Sequence, residues 1–323
     1  DQPRSRGLGD VYKRQMQVPL YVDACMKELL SVIKCGSTAY LMQQSMFLSP
    51  LKAVEFLNEH RVNTLCWVAS ALTIISGLGA FEDIKPEYMR TVCFGSEAFP
   101  VKQLQLWQSA CPGARFINLY GPTEATGMSF YYVVDRDFSD GEPIPVGKPF
   151  DNTGFMLLRE DDTEAAPGET GEICIRGTAL THGYFDDPER TAAAFTQNPL
   201  NKHYPELIYR TGDLGRINER GELVFVSRKD HQIKNMGHRV ELGEIEACAD
   251  GCEGVVRSCC MFDKQKGKLL MFYMGAADEK TLGKYLRSML PRYMLPSKIK
   301  RLDALPLLEN GKIDRNSLKD MEI

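Results

Sequence analysis

Hydrophobic positions along the chain switch repeatedly between a helical and an alternating period. Met26–Lys34 places Leu29, Leu30, Val32 and Ile33 at helical spacing and predicts a helix with those four as its apolar face. Leu51–Glu59 predicts a second helix, and Thr64–Val68 a buried strand. Val92–Phe94 follows as a short buried strand, Val101–Ser109 as a helix and Arg115–Asn118 as a further strand. Strands that alternate with helices predict an α/β sheet with parallel pairing.

The texture changes after residue 128. Met128–Val134, Gly154–Leu158, Gly171–Ile175 and Glu222–Val226 read as strands separated by Gly, Pro and Asp turns, so this part is expected to be β-rich. A third region starts near Lys229. Leu242, Ile245 and Ala249 mark a helix, Ser258–Phe262 and Leu269–Met274 strands, and Glu279–Leu290 another helix before Pro291 and Pro296 break the chain. The division expected is a large unit over 16–229 and a small α+β domain over 230–323. Residues 1–15 are polar and Arg-rich without a clear period; they look like a non-native junction and are set aside from the fold.

Composition narrows the function classes. The 323 residues are 43% hydrophobic and 25% charged, which excludes a disordered chain. Lys+Arg is 39 against 43 Asp+Glu, a net charge of -4, so no nucleic-acid partner is expected. Ten cysteines are scattered apart from Cys259-Cys260, with no C-x-x-C and no zinc spacing, as in reduced thiols of a cytoplasmic protein. Val62–Phe81 carries no charge, but its Asn, Thr, Ser and Gly residues favour a buried strand and short helix over a membrane span. The first fifteen residues have no apolar core of a signal peptide.

Five segments carry candidate chemistry. Asn118-Leu119-Tyr120-Gly121-Pro122-Thr123-Glu124 follows a strand, where open α/β sheets bind ligands. It supplies an aromatic face, a hydroxyl and a carboxylate; alone, it reads equally as a plain Gly-Pro turn. Tyr209-Arg210-Thr211-Gly212-Asp213 offers a carboxylate able to accept two hydrogen bonds from a ribose diol, or is a simple turn. Ser227–Glu246 is dense in charge and sits at the change of texture, as a solvated linker or a hinge would. Asn310-Gly311-Lys312 is a hairpin signal that exposes a lysine, which on a rigid tip can face developing negative charge. Gly95-Ser96-Glu97 lies at a strand end, where a turn can lie flat against a base.

In this order, these segments resemble the adenylate-forming superfamily, including nonribosomal peptide synthetase adenylation domains and D-alanine–carrier-protein ligases. The resemblance rests on Asn118–Glu124, Tyr209–Asp213, Gly237–Glu246 and Asn310–Arg315, with Gly171–Gly177 and Gly183-Tyr184 as a further match, and it extends from Met16 to Leu318. It implies a two-domain acetyl-CoA-synthetase-like α/β fold: a partial large domain with a β-rich subdomain, then a small α+β domain. It implies ATP/AMP and Mg²⁺ as cofactors and adenylation of a carboxylic acid. Tyr120 would stack on adenine, with Asn118, Gly121 and the Gly95, Ser96 and Glu97 turn around it. Thr123 would contact phosphate, and Glu124 would hold Mg²⁺. Asp213 and Arg228 would bind the ribose, and Asp230 would be the hinge. Lys312 would bridge the substrate carboxylate and the α-phosphate. In a second step, Lys234 and Gly237 would line the path of a phosphopantetheine thiol from a carrier protein or CoA.

Asp23, within Tyr21-Val22-Asp23-Ala24, matches the family segment that enters the substrate pocket, where an aspartate pairs with an α-ammonium. Asp23 is also placed to cap the following helix, and a shift of one residue would put Val22 in the pocket. The resemblance therefore favours an amino acid substrate, with acyl- or aryl-CoA synthesis and a non-catalytic scaffold as the alternatives. The Ser/Thr/Gly-rich phosphate loop of the family is expected before Asp23 and has no counterpart there, so the chain is read as an N-terminally truncated piece with impaired catalysis.

Overall fold

The structure is a computed structural model that describes residues 12–17, 20, 22–43, 46–47, 49–229, 232–263, 266–307, 313–319 and 321. Two compact units divide the chain, Asp1–Lys229 and Asp230–Ile323.

The first half of the first unit follows the alternating pattern. Its elements are β1 (Lys13–Met16), α1 (Cys25–Cys35), β2 (Thr38–Leu41), α2 (Pro50–Glu59), β3 (Thr64–Val68), α3 (Ala69–Gly77) and α4 (Ala80–Asp83). Then come β4 (Thr91–Gly95), α5 (Val101–Ala110), β5 (Arg115–Tyr120), β6 (Phe130–Val133) and β7 (Lys148–Pro149). The strands form one sheet in the order β2-β1-β3-β4-β5-β6-β7, parallel as far as β5 and antiparallel beyond it. Side chains alternate across a strand, so Leu65 and Trp67 of β3 and Val92 and Phe94 of β4 share a face. They enter a core with Leu72 and Trp107, whose indole N–H donates to the Leu72 carbonyl at 3.0 Å.

Two expectations are corrected here. Lys13, Arg14 and Gln15, set aside with the junction over 1–15, belong to β1; Lys13–Gln15 pair with Thr38–Tyr40 and, for Arg14 and Gln15, with Thr64 and Leu65. Gln15 is fully buried, because a strand paired on both sides has no exposed edge. The four-residue apolar face of α1 does not turn inward as a whole either. Leu30 is 56% and Ile33 78% exposed, whereas Cys25 and Glu28 are buried. At about 100° per residue, positions 30 and 33 fall roughly opposite Glu28 once that residue faces the sheet.

The second half of the unit is antiparallel. It comprises β8 (Thr153–Leu158), β9 (Gly171–Gly177), α6 (Pro188–Ala194), β10 (Phe195–Gln197), β11 (Leu207–Ile217) and β12 (Leu223–Arg228). Their order is β10-β11-β9-β8, with β12 also paired to β11. The helix α6 interrupts a stretch expected to be strands and turns. Asp187 caps it by accepting the Arg190 N–H, and Pro188 opens it.

In the second unit, β13 (Gln232–Asn235) and β14 (His238–Glu241) make a hairpin, followed by α7 (Leu242–Asp250). β15 (Val255–Asp263), β16 (Lys268–Gly275), α8 (Glu279–Met289), β17 (Lys298–Arg301) and α9 (Arg315–Lys319) complete it. α7 buries Leu242, Ile245 and Ala249, the three positions that its sequence period picks out. Asp278 caps α8 by accepting the N–H groups of Lys280 and Thr281.

Candidate functional site

The site is built on the carboxyl ends of β4 and β5. β5 ends at Tyr120, and Gly121-Pro122 leads into a single 3₁₀ turn over Thr123–Ala125. Thr126 and Gly127 then take positive φ, and the chain returns so that the Ser129 N–H reaches the Tyr120 carbonyl at 2.8 Å. This return passes directly over Gly121. A Cβ there would lie 2.5 Å from the Ser129 nitrogen and 2.6 Å from the Gly127 carbonyl oxygen, both backbone atoms. Only glycine fits, so Gly121→Ala is expected to lose about 1–3 kcal/mol or more and to displace Thr123 and Glu124. Urea unfolding followed by tryptophan fluorescence checks the loss; a midpoint equal to that of the parent chain would refute it.

Asp213 reaches this loop because β11 bulges. Between Arg210 and Leu214 its register against β9 shifts, so Thr211, Gly212 and Asp213 leave the regular ladder. The buried Asp213 carboxylate accepts the Tyr120 hydroxyl through Oδ2 and pairs through Oδ1 with Arg228 at 2.5 Å. Arg228 stands directly opposite Asp213 in the β11–β12 ladder. Burial, and then the Asp213 carboxylate, hold the Tyr120 phenol well above its usual range, so it remains the donor of that pair.

Glu172 is the carboxylate that sequence reasoning missed. It is 4% exposed, accepts the Gly212 N–H at 2.9 Å, and pairs with Lys229 at 3.1 Å and Arg210 at 3.4 Å. It thus pins the bulge that presents Asp213. The signal was present in Gly171-Glu172-Ile173, a charge between apolar strand residues, but that segment reads as structural.

Glu124 is buried and accepts the Tyr184 hydroxyl at 2.6 Å, while Thr123 beside it is exposed. A cation such as Mg²⁺ is held by one or two carboxylates together with phosphate oxygens, and the hard oxygen donor of Glu124 fits that chemistry. Among the described residues no group of three or more His, Cys, Asp or Glu side chains could hold a metal by itself.

The Gly95-Ser96-Glu97 turn lies against β5. A Cβ on Gly95 would meet the Leu119 carbonyl oxygen at 2.3 Å, and Ser96 takes a φ of 66°. Glu97 accepts the Ser70 N–H at 3.0 Å, which satisfies a donor in the first turn of α3. Asn118 donates its amide to the Pro145 carbonyl at 2.8 Å. Asp23 does not cap α1: the cap is Ala24, without a side-chain hydrogen bond. The Asp23 carboxylate instead lies at the Thr123–Gly127 loop, where a Cβ on Gly127 would be 3.0 Å from Oδ2.

The first unit therefore brings Asp23, Tyr120–Glu124, Asp213 and Arg228 to one loop, with Gly95–Glu97 at the end of the neighbouring strand and the Asn118 amide turned to Pro145. Lys234 and Gly237 belong to the second unit, in the β13–β14 hairpin, which takes up residues 232–241 of the charged segment expected as linker or hinge. Its turn is Met236-Gly237, both with positive φ. Asn235 donates to the Tyr293 carbonyl at 2.7 Å, and His238 stacks on the Tyr293 ring at 3.9 Å between centroids. Asp230, the expected hinge, and Lys312, the expected cation, lie outside the described residues. Leu307 and Ile313, on either side of Lys312, form an antiparallel bridge, and Arg315 pairs with Glu246 at 2.5 Å. Glu246 also accepts the Cys260 N–H at 2.7 Å, so two charges of the family-like motifs serve to tie α9 to α7 and β15.

Among the described residues no helix is long and apolar enough to cross a membrane. A family model described as "AMP-binding enzyme" matches residues 3–185, starting inside the segment set aside as a junction. Delta-poly-L-ornithine synthetase of Acinetobacter baumannii is 32% identical over 92% of this chain and 22% of its own length. Tyrocidine synthase 3 of Brevibacillus parabrevis is 33% identical over 92% of this chain and 4% of its own length. The chain thus spans a small part of these relatives. Among solved structures, an NRPS protein containing adenylation and PCP domains, bound to a vinylsulfonamide inhibitor, superposes with a TM-score of 0.82. It is 29% identical, with 95% of this chain and 53% of that one covered.

Proposed function

This chain belongs to the AMP-binding enzyme family, and from that premise we propose that it adenylates the carboxylate of an amino acid and passes the acyl group to a thiol. The observation that carries the reading is the joining of Tyr120, Asp213 and Arg228 beside a loop that holds both Glu124 and, on its other flank, the Asp23 carboxylate. Tyr120 offers a ring beside the base, and Asp213 a fixed acceptor for the ribose hydroxyls. Thr123 contacts phosphate. Asp23 pairs with the substrate ammonium, which an acid lacking the amine cannot use.

A substrate carboxylate oxygen attacks the α-phosphorus of ATP, the bond to the pyrophosphate oxygen breaks, and an acyl-adenylate forms. Mg²⁺, when held by Glu124, supplies charge neutralisation for the phosphates. Lys312 is the proposed cation for the negative charge that grows at the α-phosphate, where fixed donors act more on the transition state than on the ground state. In the second reaction a thiol sulfur attacks the acyl carbon and AMP leaves. We assign that thiol to the phosphopantetheine of a carrier protein, with Lys234 and Gly237 beside its path and Asp230 as the hinge between the two reactions. A small amino acid of the D-alanine type is the proposed substrate.

ATP–pyrophosphate exchange by the full-length protein, with a panel of amino, fatty and aryl acids, tests this reading. Exchange should require an α-amine and fall sharply in Asp23→Ala, while AMP binding by titration calorimetry persists. Equal exchange with acids lacking the amine would establish the CoA-synthetase alternative instead. Lys312→Ala should lower exchange by about 10²–10³ with AMP affinity retained; unchanged exchange would remove Lys312 from the reaction.

A further inference from the structure

Below α1, on the face of the large sheet opposite the main core, two thiols stand side by side. Cys66 of β3 and Cys93 of β4 are register partners in neighbouring parallel strands. Their flanking residues Leu65, Trp67, Val92 and Phe94 point into the core, so both sulfurs project to the other face. Strands lie about 4.8 Å apart, which sets the two Cα atoms within the ~4.4–6.8 Å span of a disulfide. Facing them from α1 are Lys27 and Glu28; from β1 comes Arg14. All ten cysteines are free.

We propose that Cys66 and Cys93 form a redox-sensitive pair, which hydrogen peroxide converts to a disulfide that ties β3 to β4. The two thiols divide the labour. The adjacent Cys66 thiol, aided by the charges of Lys27 and Arg14, lowers the Cys93 pKa against the opposing effect of burial. Cys66 is shifted the other way, first by its neighbour Cys93 and then by burial. Burial likewise pushes the Cys111, Cys174 and Cys259 thiols up, away from reactivity. Cys93 is also partly exposed, so a small oxidant reaches it.

The Cys93 thiolate attacks one peroxide oxygen, the O–O bond breaks, and hydroxide leaves to become water. Cys93 is then a sulfenic acid. The Cys66 sulfur attacks the Cys93 sulfur, the S–O bond breaks, and the departing hydroxide takes the Cys66 proton as a second water. Two thiols and one peroxide thus give one disulfide and two waters; an added dithiol reverses the step. The bond would lock the strand that runs two residues later into Gly95, at the base of the candidate nucleotide site. This inference does not depend on the proposed reaction.

Trypsin cleavage after Arg61, Arg90 and Lys102 places the two cysteines in separate peptides, 62–90 and 91–102, each with a single cysteine. The chain is treated with hydrogen peroxide, remaining thiols are alkylated, and a non-reduced digest is analysed by mass spectrometry. The expected product is 62–90 joined to 91–102 and released by dithiothreitol. In Cys66→Ser, Cys93 should stop at a sulfenic acid that dimedone traps. In untreated protein at neutral pH, Cys93 should alkylate about tenfold faster than Cys111 or more, as a difference of one pKa unit or more in thiolate content requires. Recovery of both peptides unjoined after peroxide treatment, or Cys93 joined to a third cysteine, would overturn the proposal.

Discussion

Replacing Asp213 with alanine is expected to cost about 3–5 kcal/mol of stability and to abolish AMP binding. The stability loss follows from what the carboxylate leaves behind. Its side chain is 7% exposed and that of its partner Arg228 is 13% exposed, at 2.5 Å. Removing one member takes the Asp213 carboxylate away from a mostly buried guanidinium, which is far costlier than replacing the pair as a whole. The Tyr120 hydroxyl loses the charged acceptor Asp213 at the same time. Asp213→Ala with Arg228→Met then separates structure from function. The double variant should regain much of the stability, because the buried guanidinium is removed together with the carboxylate it faces, yet still fail to bind AMP. Urea unfolding and titration calorimetry read the two effects independently. Native AMP affinity in Asp213→Ala would remove Asp213 from the site.

The contrast between Asp213 and Glu172 shows what was legible in the sequence. The elements were, because each lies in a strong local period: β3, α5, α7 and β16 fall within a residue or two of where apolar spacing puts them. Asp213, Tyr120 and Glu124 were legible because they sit in short motifs with Gly and Pro, where turn chemistry concentrates. Glu172 was hidden, since its role depends on a bulge in a strand forty residues away. No local pattern reports a register shift between Arg210 and Leu214. The junction shows the same limit. Lys13–Gln15 have no amphipathic period, but a strand flanked on both sides needs none once its neighbours supply the ladder. Asp23 had two local readings, cap or pocket. The structure removes the cap reading, since Ala24 caps the helix, and leaves the Asp23 carboxylate beside Gly127.

Glu28 is a buried carboxyl on a helix whose apolar residues Leu30 and Ile33 face outward, and it carries a stability prediction of unusual sign. It is 2% exposed, its Oε2 has no hydrogen-bond partner among the described residues, and burial raises its pKa from 4.5 to about 8. In the unfolded chain the carboxyl ionises near its ordinary value, whereas the folded chain keeps the proton to about pH 8. Across that window the folded state binds more protons, so stability is fully present at low pH and is lost as pH rises. The slope is about 1.4 kcal/mol per pH unit, which amounts to roughly 4 kcal/mol by pH 7.5. Glu28→Gln keeps the shape and cannot ionise in either state. The variant should therefore match the parent near pH 4.5 and exceed it by about 4 kcal/mol at pH 7.5. Both tryptophans, Trp67 and Trp107, are buried in the same unit as Glu28, so their fluorescence during urea unfolding reports on the right part of the chain. A stability difference between variant and parent that stays constant from pH 5 to pH 8 would mean that Glu28 is ionised in the folded protein, and that Lys27 and Arg14 outweigh its burial.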